Sequence, residues 1–163
     1  MMKGMYRMVS GVDDAVGRLR DQLQKLDLSE NTIIIYSSDN GMFFGERGLS
    51  DCWLLYEESI RVPLIIFDPR KKAKSQRGKV RQEMVLNLDL APTILDFAGV
   101  KNKPPMDGRS FKGLLSGNTK NAWREDFLCE HLFEHKKIPK SEGVRSKDWK
   151  YIRYFEQDPI YEE

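Results

Sequence analysis

Two adjacent side chains in this sequence have the chemistry to hold a hard metal ion. Asp39 and Asn40 follow an apolar, β-branched run (Thr32, Ile33, Ile34, Ile35, Tyr36) that stops at Ser37 and Ser38, and Gly41 comes directly after the pair. The pattern predicts a buried strand that delivers small polar side chains to its C-terminal end. In α/β proteins that end is where ligands bind. A carboxylate and an amide oxygen with no thiol or imidazole beside them suit Ca²⁺ or Mg²⁺ rather than zinc. D-N-G is equally a common turn sequence, because Asn and Gly tolerate positive φ and Asp bonds its own backbone; taken alone it reads as the plain turn.

Other reactive residue types have simpler readings. His131 and His135 form H-x-x-x-H beside Glu130 and Glu134, which would suit zinc on a helix. Leu132 and Phe133 between them and Pro139 soon after favour a strand running into a loop instead. Glu57, Glu58 and Arg61 are spaced for ion pairs along one short helix. Cys52 and Cys129 lie far apart with no C-x-x-C pair, so they define neither a disulfide framework nor a structural zinc site.

The elements that must position these residues follow from periodicity. Met5, Met8, Val9, Val12, Val16, Leu19, Leu23 and Leu26 recur at three- and four-residue steps, predicting one amphipathic helix with Asp13, Asp14, Arg18, Arg20, Asp21 and Lys25 mostly on its other face. After the Asp39 loop, Ser50 or Asp51 is placed to cap a short helix through Trp53, Leu54, Tyr56, Glu57 and Glu58. Leu64, Ile65, Ile66 and Phe67 predict a second strand, buried on both faces and opened by Pro63. Val80 and Met84 to Leu86 predict a short strand. Asp89 is expected as the N-cap of a helix carrying Leu90, Ile94, Leu95, Phe97 and Ala98, closed by Gly99 at C′. Ser110 to Leu115 predicts a further helical turn before a polar surface stretch. Strands are expected near Phe127 to Cys129, Val144 to Ser146 and Trp149 to Phe155, the last with Tyr151, Arg153 and Phe155 alternating with Ile152 and Tyr154.

The 163 residues, 40% hydrophobic and 10% aromatic, are enough for one core. A net charge of +2 from 27 basic and 25 acidic residues gives no support for a nucleic acid partner. The one basic cluster, Arg70, Lys71, Lys72, Lys74, Arg77 and Lys79, reads as a solvated loop. No run approaches the roughly 20 apolar residues of a membrane span, and the first residues lack the apolar region of a signal peptide.

Three blocks change the reading of D-N-G. S-S-D-N-G, G-E-R-G-L (Gly45 to Leu49) and Y-E-E-S-I-R-V-P-L-I-I (Tyr56 to Ile66), in this order and spacing, resemble the second half of the sulfatase family, the arylsulfatase-like branch of the alkaline phosphatase superfamily. The likeness continues in V-D-D-A-V-G-R-L (Val12 to Leu19), N-L-D-L-A-P-T-I-L-D-F-A-G-V (Asn87 to Val100), M-D-G-R-S-F (Met106 to Phe111) and G-V-R-S-K-D-W-K-Y-I-R (Gly143 to Arg153).

The resemblance implies an α/β fold, part of the mixed-sheet architecture of that superfamily with helices on both faces, plus a small C-terminal antiparallel sheet. Residues 1–120 are expected to belong to the main domain and 121–163 to begin a strand-rich region that breaks off. It implies one Ca²⁺, held by two aspartates from the N-terminal half and by a later Asp-Asn pair that maps onto Asp39 and Asn40. It implies a formylglycine nucleophile made from the Cys or Ser of C/S-x-P-x-R, and a sulfated small molecule or glycan as substrate. Relatives are often periplasmic, lysosomal or secreted, which leaves the compartment open.

The sequence departs from this pattern in three places. It contains no C-x-P-x-R or S-x-P-x-R. Arg47 stands where an active-site histidine is usual, and Cys52 where relatives carry a sulfate-binding lysine; Arg47 can pair with sulfate but cannot act as a general acid near neutral pH. The region of His131 borders the substrate pocket in the resembling enzymes, which makes His131 a candidate substrate contact. The expectation is therefore part of a sulfatase that is inactive as this chain alone and prone to self-association through open sheet edges. The alternatives are a non-catalytic relative used as a scaffold or for binding, and a phosphatase or phosphodiesterase of the same superfamily.

Overall fold

A computed structural model describes residues 2–70, 77–117, 122–156 and 161–162. The chain divides into two compact units, residues 1–36 with 65–77, and residues 37–64 with 78–163.

The first unit holds helix α1 (Met2–Lys25) and the two-stranded sheet of β1 (Ile34–Ser37) and β4 (Leu64–Phe67), whose last and first residues respectively lie at the boundary. α1 ends in a Schellman motif: the Leu28 N–H reaches the Leu23 carbonyl at 2.8 Å and the Asp27 N–H the Gln24 carbonyl at 3.1 Å, with Asp27 at φ 57°. Only part of the predicted apolar stripe is covered. Met5, Val16 and Leu23 are half-buried, whereas Met8, Val9, Val12, Leu19 and Leu26 are exposed. The two strands depart from expectation in the same way: β1 is half-buried throughout and Leu64, Ile65 and Phe67 of β4 are exposed. The reason is that each strand pairs only with the other among the described residues. Of the basic cluster, Arg70 forks onto the Asp68 carboxylate at 2.8 and 2.5 Å and Arg77 donates to the Pro69 carbonyl at 2.6 Å. Lys71, Lys72 and Lys74 lie outside the described residues.

The second unit is built on a four-stranded antiparallel sheet, β5 (Asp126–His131), β6 (Lys140–Ser146), β7 (Lys150–Phe155) and β8 (Tyr161–Glu162), in that order. The alternation read in Trp149 to Phe155 is realised: Ile152 and Tyr154 are buried, Tyr151 and Arg153 exposed. The inner face of the sheet packs Ile152, Tyr154 and Cys129 against Leu54, Leu55 and Ile60. On the outer face Arg153 and Glu142, paired across β6 and β7, meet at 2.6 Å. A small hairpin of β2 (Phe43–Phe44) and β3 (Ser50–Asp51) precedes helix α2 (Glu57–Ile60). α2 starts later than expected and neither Ser50 nor Asp51 caps it; Asp51, at φ 73°, gives its carboxylate to the Cys52 N–H at 2.9 Å instead. Glu57 does not pair with Arg61 along the helix. It bonds Arg145 of β6 at 2.8 Å and Lys150 of β7 at 2.7 Å, fastening α2 to the sheet.

Helices α3 (Leu90–Phe97) and α4 (Lys112–Leu115) complete the unit around Asp89, Thr93 and Phe111, which are almost wholly buried. Gly99, at φ 75°, closes α3 as expected, with its N–H on Asp96 and the Val100 N–H on Leu95. Asp89 stands at the N-cap position but makes no cap bond. Its carboxylate turns to the N–H of Leu86 at 2.8 Å, the N–H of Arg109 at 2.7 Å and the guanidinium fork of Arg124. Thr93 accepts the Phe111 N–H at 3.0 Å and donates to the Asp89 carbonyl at 2.7 Å. Gly108 lets this approach happen, since a Cβ there would stand 1.9 Å from the Leu88 carbonyl oxygen. The strand expected at Val80 and Met84 to Leu86 does not form. Its polar backbone groups are taken by side chains: the Met84 carbonyl by Trp123 at 2.7 Å and Arg124 at 3.3 Å, the Leu86 N–H by Asp89.

Burial would push the Asp89 carboxyl up; the Arg124 fork and the two N–H donors outweigh it and hold it below the usual aspartate value. Glu57 is likewise held low, by Arg145 and Lys150 against burial. The unfolded chain therefore binds more protons than the folded one as pH drops through about 4, so stability from these carboxylates is complete above that pH and lost progressively below it. Replacing Asp89 by Asn leaves Arg124 buried without its counter-charge. Urea unfolding of Asp89→Asn is expected to show a loss of about 3–5 kcal/mol and a flatter acid limb; unchanged stability contradicts this role.

Candidate functional site

The Asp39 loop is not a tight turn. None of Asp39, Asn40 and Gly41 has positive φ, so the property that recommends Asn and Gly for turns is unused here. Gly41 answers a different need. Its N–H donates to the Ser59 carbonyl at 2.6 Å, and a Cβ at this position would lie 2.1 Å from the Glu58 carbonyl oxygen. The Asp39 loop is thus pressed against α2 at Gly41, and only a residue without a side chain fits.

Beyond that contact Asp39 and Asn40 are both exposed. Asp39 Oδ1 accepts the Asn40 N–H at 2.9 Å and lies 3.3 Å from the Ser38 hydroxyl. The Asn40 N–H first, then the Asp39 N–H and the Ser38 hydroxyl, hold the Asp39 carboxyl below its ordinary value, so it is anionic at neutral pH. The Asn40 amide nitrogen donates to the Gly41 carbonyl at 2.7 Å, which orients the amide and leaves its oxygen as an acceptor. Asp39 Oδ2 and Asn40 Oδ1 have no protein donor among the described residues. Two preset, solvent-facing hard oxygens fit a divalent cation as a partial ligand set. Such an ion takes roughly six to eight oxygens, and no cluster of three or more His, Cys, Asp or Glu is present among the described residues.

Arg47, Cys52 and the loop tip converge on residues 56–59. Arg47, at φ 56°, lays its guanidinium 4.6 Å above the Tyr56 ring and 3.8 Å from Glu58. The Ser59 hydroxyl donates to the Cys52 carbonyl at 2.6 Å, while Ser59's own carbonyl holds Gly41. Burial, the Asp51 hydrogen bond and the charges of Asp51 and Asp39 push the Cys52 thiol up. Position 52 therefore supplies no charge at neutral pH.

His131 reaches the same region through aromatic contacts. It ends β5, and its ring meets Trp53 edge-on at 5.8 Å. Phe133 stacks on Trp53 at 5.4 Å and on His135 at 6.3 Å. His131 ends a strand and His135 lies in the loop beyond it, as Leu132, Phe133 and Pro139 implied. His131 Nδ1 is buried without a hydrogen-bond partner among the described residues, and so is the Ser141 hydroxyl, its cross-strand neighbour on β6. Sequence reasoning passed over Trp53, Tyr56, Ser59 and Phe133, which organise this surface. The available signal was that three of them lie in or beside the block Tyr56 to Ile66.

Comparison with known proteins identifies the class. The family described as N-sulphoglucosamine sulphohydrolase, C-terminal, matches residues 45–162, and the chain belongs to it, in the C-terminal part of the sulfatase family. N-acetylglucosamine-6-O-sulfatase of Bacteroides thetaiotaomicron is 37% identical over 159 residues, covering 94% of this chain and 28% of that protein. A solved structure in complex with its substrate D-glucosamine-2-N,6-O-disulfate superposes with a TM-score of 0.83 at 35% identity, over 95% of this chain and 31% of that one. Phosphonate monoester hydrolase of Agrobacterium radiobacter shares the fold, with a TM-score of 0.82 at 22% identity over 96% and 33% of the two chains. The chain thus spans about a third or less of the proteins it matches. These relatives establish the alkaline-phosphatase-like α/β fold and a place in the sulfatase family.

The contact at Gly41 is open to a direct check. Gly41→Ala must displace the loop or α2, and a loss of about 1–3 kcal/mol in urea unfolding is expected. A variant as stable as the parent would show that the loop is not pressed against α2.

Proposed function

We propose that this chain supplies part of the active site of a sulfuric ester hydrolase acting on a sulfated sugar. The observation that carries the reading is the pair of exposed residues Asp39 and Asn40, hydrogen-bonded in place just after β1, with Gly41 bonded to α2, whose Glu58 lies 3.8 Å from Arg47. Asp39 and Asn40 donate to a divalent cation, Ca²⁺, which when bound supplies Lewis-acid polarisation of sulfate oxygens. Arg47 offers its fork of N–H donors to the sulfate. Its exposure and its long ion pair with Glu58 leave the fork able to turn from its place over Tyr56. His131 borders the sugar. The formylglycine nucleophile that the resemblance implies has no C-x-P-x-R or S-x-P-x-R here, so the 163 residues alone carry out no hydrolysis.

A second reading, a non-catalytic sulfatase-like protein, is favoured by the neutral Cys52 and by Arg47 lying on Tyr56. Sulfate release from glucosamine 6-sulfate, measured with Ca²⁺ on the protein that carries this chain, separates the two. Turnover that falls about 100-fold or more in Asp39→Ala supports the hydrolase. Inactivity that persists after Arg47→His and Cys52→Lys together supports the scaffold. Turnover by the 163 residues alone contradicts the assignment of the nucleophile elsewhere.

A further inference from the structure

Two buried polar atoms in the four-stranded sheet lack partners, and they belong to residues that face each other. His131 Nδ1 and the Ser141 hydroxyl make no hydrogen bond among the described residues, yet His131 of β5 and Ser141 of β6 are direct cross-strand partners. Such partners bring their Cβ atoms to about 4.5–5.5 Å on one face of the sheet. Here it is the inner face, shared with Cys129, two residues before His131, and with Tyr154, which pairs with Ser141 from β7. Ser141 is wholly shut from solvent and His131 half-buried. Buried polar groups in native proteins are matched with few exceptions, and no other buried side-chain donor or acceptor among the described residues is left unmatched. Each is therefore the partner the other lacks.

The protons available fix the direction of the bond. A hydroxyl carries one proton and also accepts, whereas a neutral imidazole carries its proton on one nitrogen and accepts at the other. If Nδ1 donated to Oγ, the Ser141 proton would stay buried with nothing to receive it. If Oγ–H donates to Nδ1, no buried proton is stranded, and the ring proton sits on Nε2. The ring plane is held independently, by Trp53 edge-on at 5.8 Å and Phe133 at 6.4 Å. Packing thus sets where the imidazole lies, and the hydroxyl sets which nitrogen is the donor.

We infer that Ser141 is a positioning residue: its hydroxyl donates to His131 Nδ1 and holds the neutral imidazole in the tautomer with hydrogen on Nε2. The second nitrogen is thereby an N–H donor, with no lone pair to accept a proton or ligate a metal ion. This rests on the proposed function, in which His131 borders the substrate, and adds that the neutral ring can only donate there, to a hydroxyl or anionic oxygen. Ser141, wholly buried, meets no substrate itself and acts through the ring.

Nitrogen-15 NMR of the imidazoles in the full 163-residue chain tests this, recorded where the spectra stop changing with rising pH, so that the rings are neutral. The chain has two histidines, and His135→Gln leaves the His131 ring alone in the spectrum. A pyridine-type Nδ1 and a pyrrole-type Nε2 with its own proton are expected, together with a Ser141 hydroxyl proton protected from exchange and correlated with Nδ1. Ser141→Thr, which keeps a hydroxyl, should retain this pattern. Ser141→Ala removes the donor, so the Nδ1 resonance should shift and the Nε2–H form fall from nearly all to a mixture, with backbone amide spectra showing the sheet intact. A pyrrole-type Nδ1 in the parent chain, an unprotected Ser141 hydroxyl, or a pattern that folded Ser141→Ala leaves unchanged overturns the assignment. The readout uses no substrate. A protein that shows the pattern but releases no sulfate refutes the hydrolase and leaves the role of Ser141 standing, whereas turnover with the His131 proton on Nδ1 does the reverse.

Discussion

The approach of the Gly41 N–H to the Ser59 carbonyl, at 2.6 Å, governs the arrangement of the site. Ser59 is buried and uses both of its oxygens, the carbonyl on Gly41 and the hydroxyl on Cys52. One residue therefore fixes the Asp39 loop and the segment entering α2 with respect to each other. Asp39 and Asn40 are left exposed outside this contact, and Arg47 lies over Tyr56. Were position 41 any other residue, the Glu58 carbonyl would be displaced and the convergence lost. The requirement for glycine is steric crowding rather than backbone conformation.

Two ion-pair systems hold the frame behind that contact. Glu57, beside the site, reaches Arg145 and Lys150, so α2 cannot shift without disturbing β6 and β7. Asp89 gathers Leu86, Arg109 and Arg124, which ties the 84–89 segment to the M-D-G-R-S-F block and to the approach to β5. Blocks of sequence that resemble the family therefore do different things. Those around Asp39 and Tyr56 shape the site, and those around Asp89 and Met106 are structural. The cost of burying the Asp89 charge is met because its hydrogen-bonding capacity is filled by donors.

How much of this could be read beforehand depended on sequence distance. The long helix, the closing Gly99 and the alternation in Trp149 to Phe155 are local patterns, and they appear where expected. The Asp-Asn pair stands out because an apolar run stops abruptly before it, but by itself it reads as a turn, and its site role comes from the resemblance of the blocks around it. What was missed comes from partners far along the chain. Arg145 is 88 residues from Glu57, and Arg124 is 35 from Asp89. No spacing rule points to either, so Glu57 was assigned to its own helix and Asp89 to a cap. The expected strand through Met84 failed for the same reason, because Trp123 and Arg124 occupy the carbonyl a neighbouring strand would need. The burial expected for Ile65 and Phe67 follows from composition alone and takes no account of what lies opposite.

The central claim is that the end of β1 presents a preset half of a cation site. Titrating the isotopically labelled chain with Ca²⁺ while recording backbone and side-chain amide resonances tests it most directly. The account predicts saturable shifts concentrated at Asp39, Asn40 and the Asn40 carboxamide, half-complete at about millimolar Ca²⁺ as befits an incomplete ligand set, and abolished in Asp39→Asn. Resonances at these positions that do not respond, or a response that survives the substitution, would contradict it.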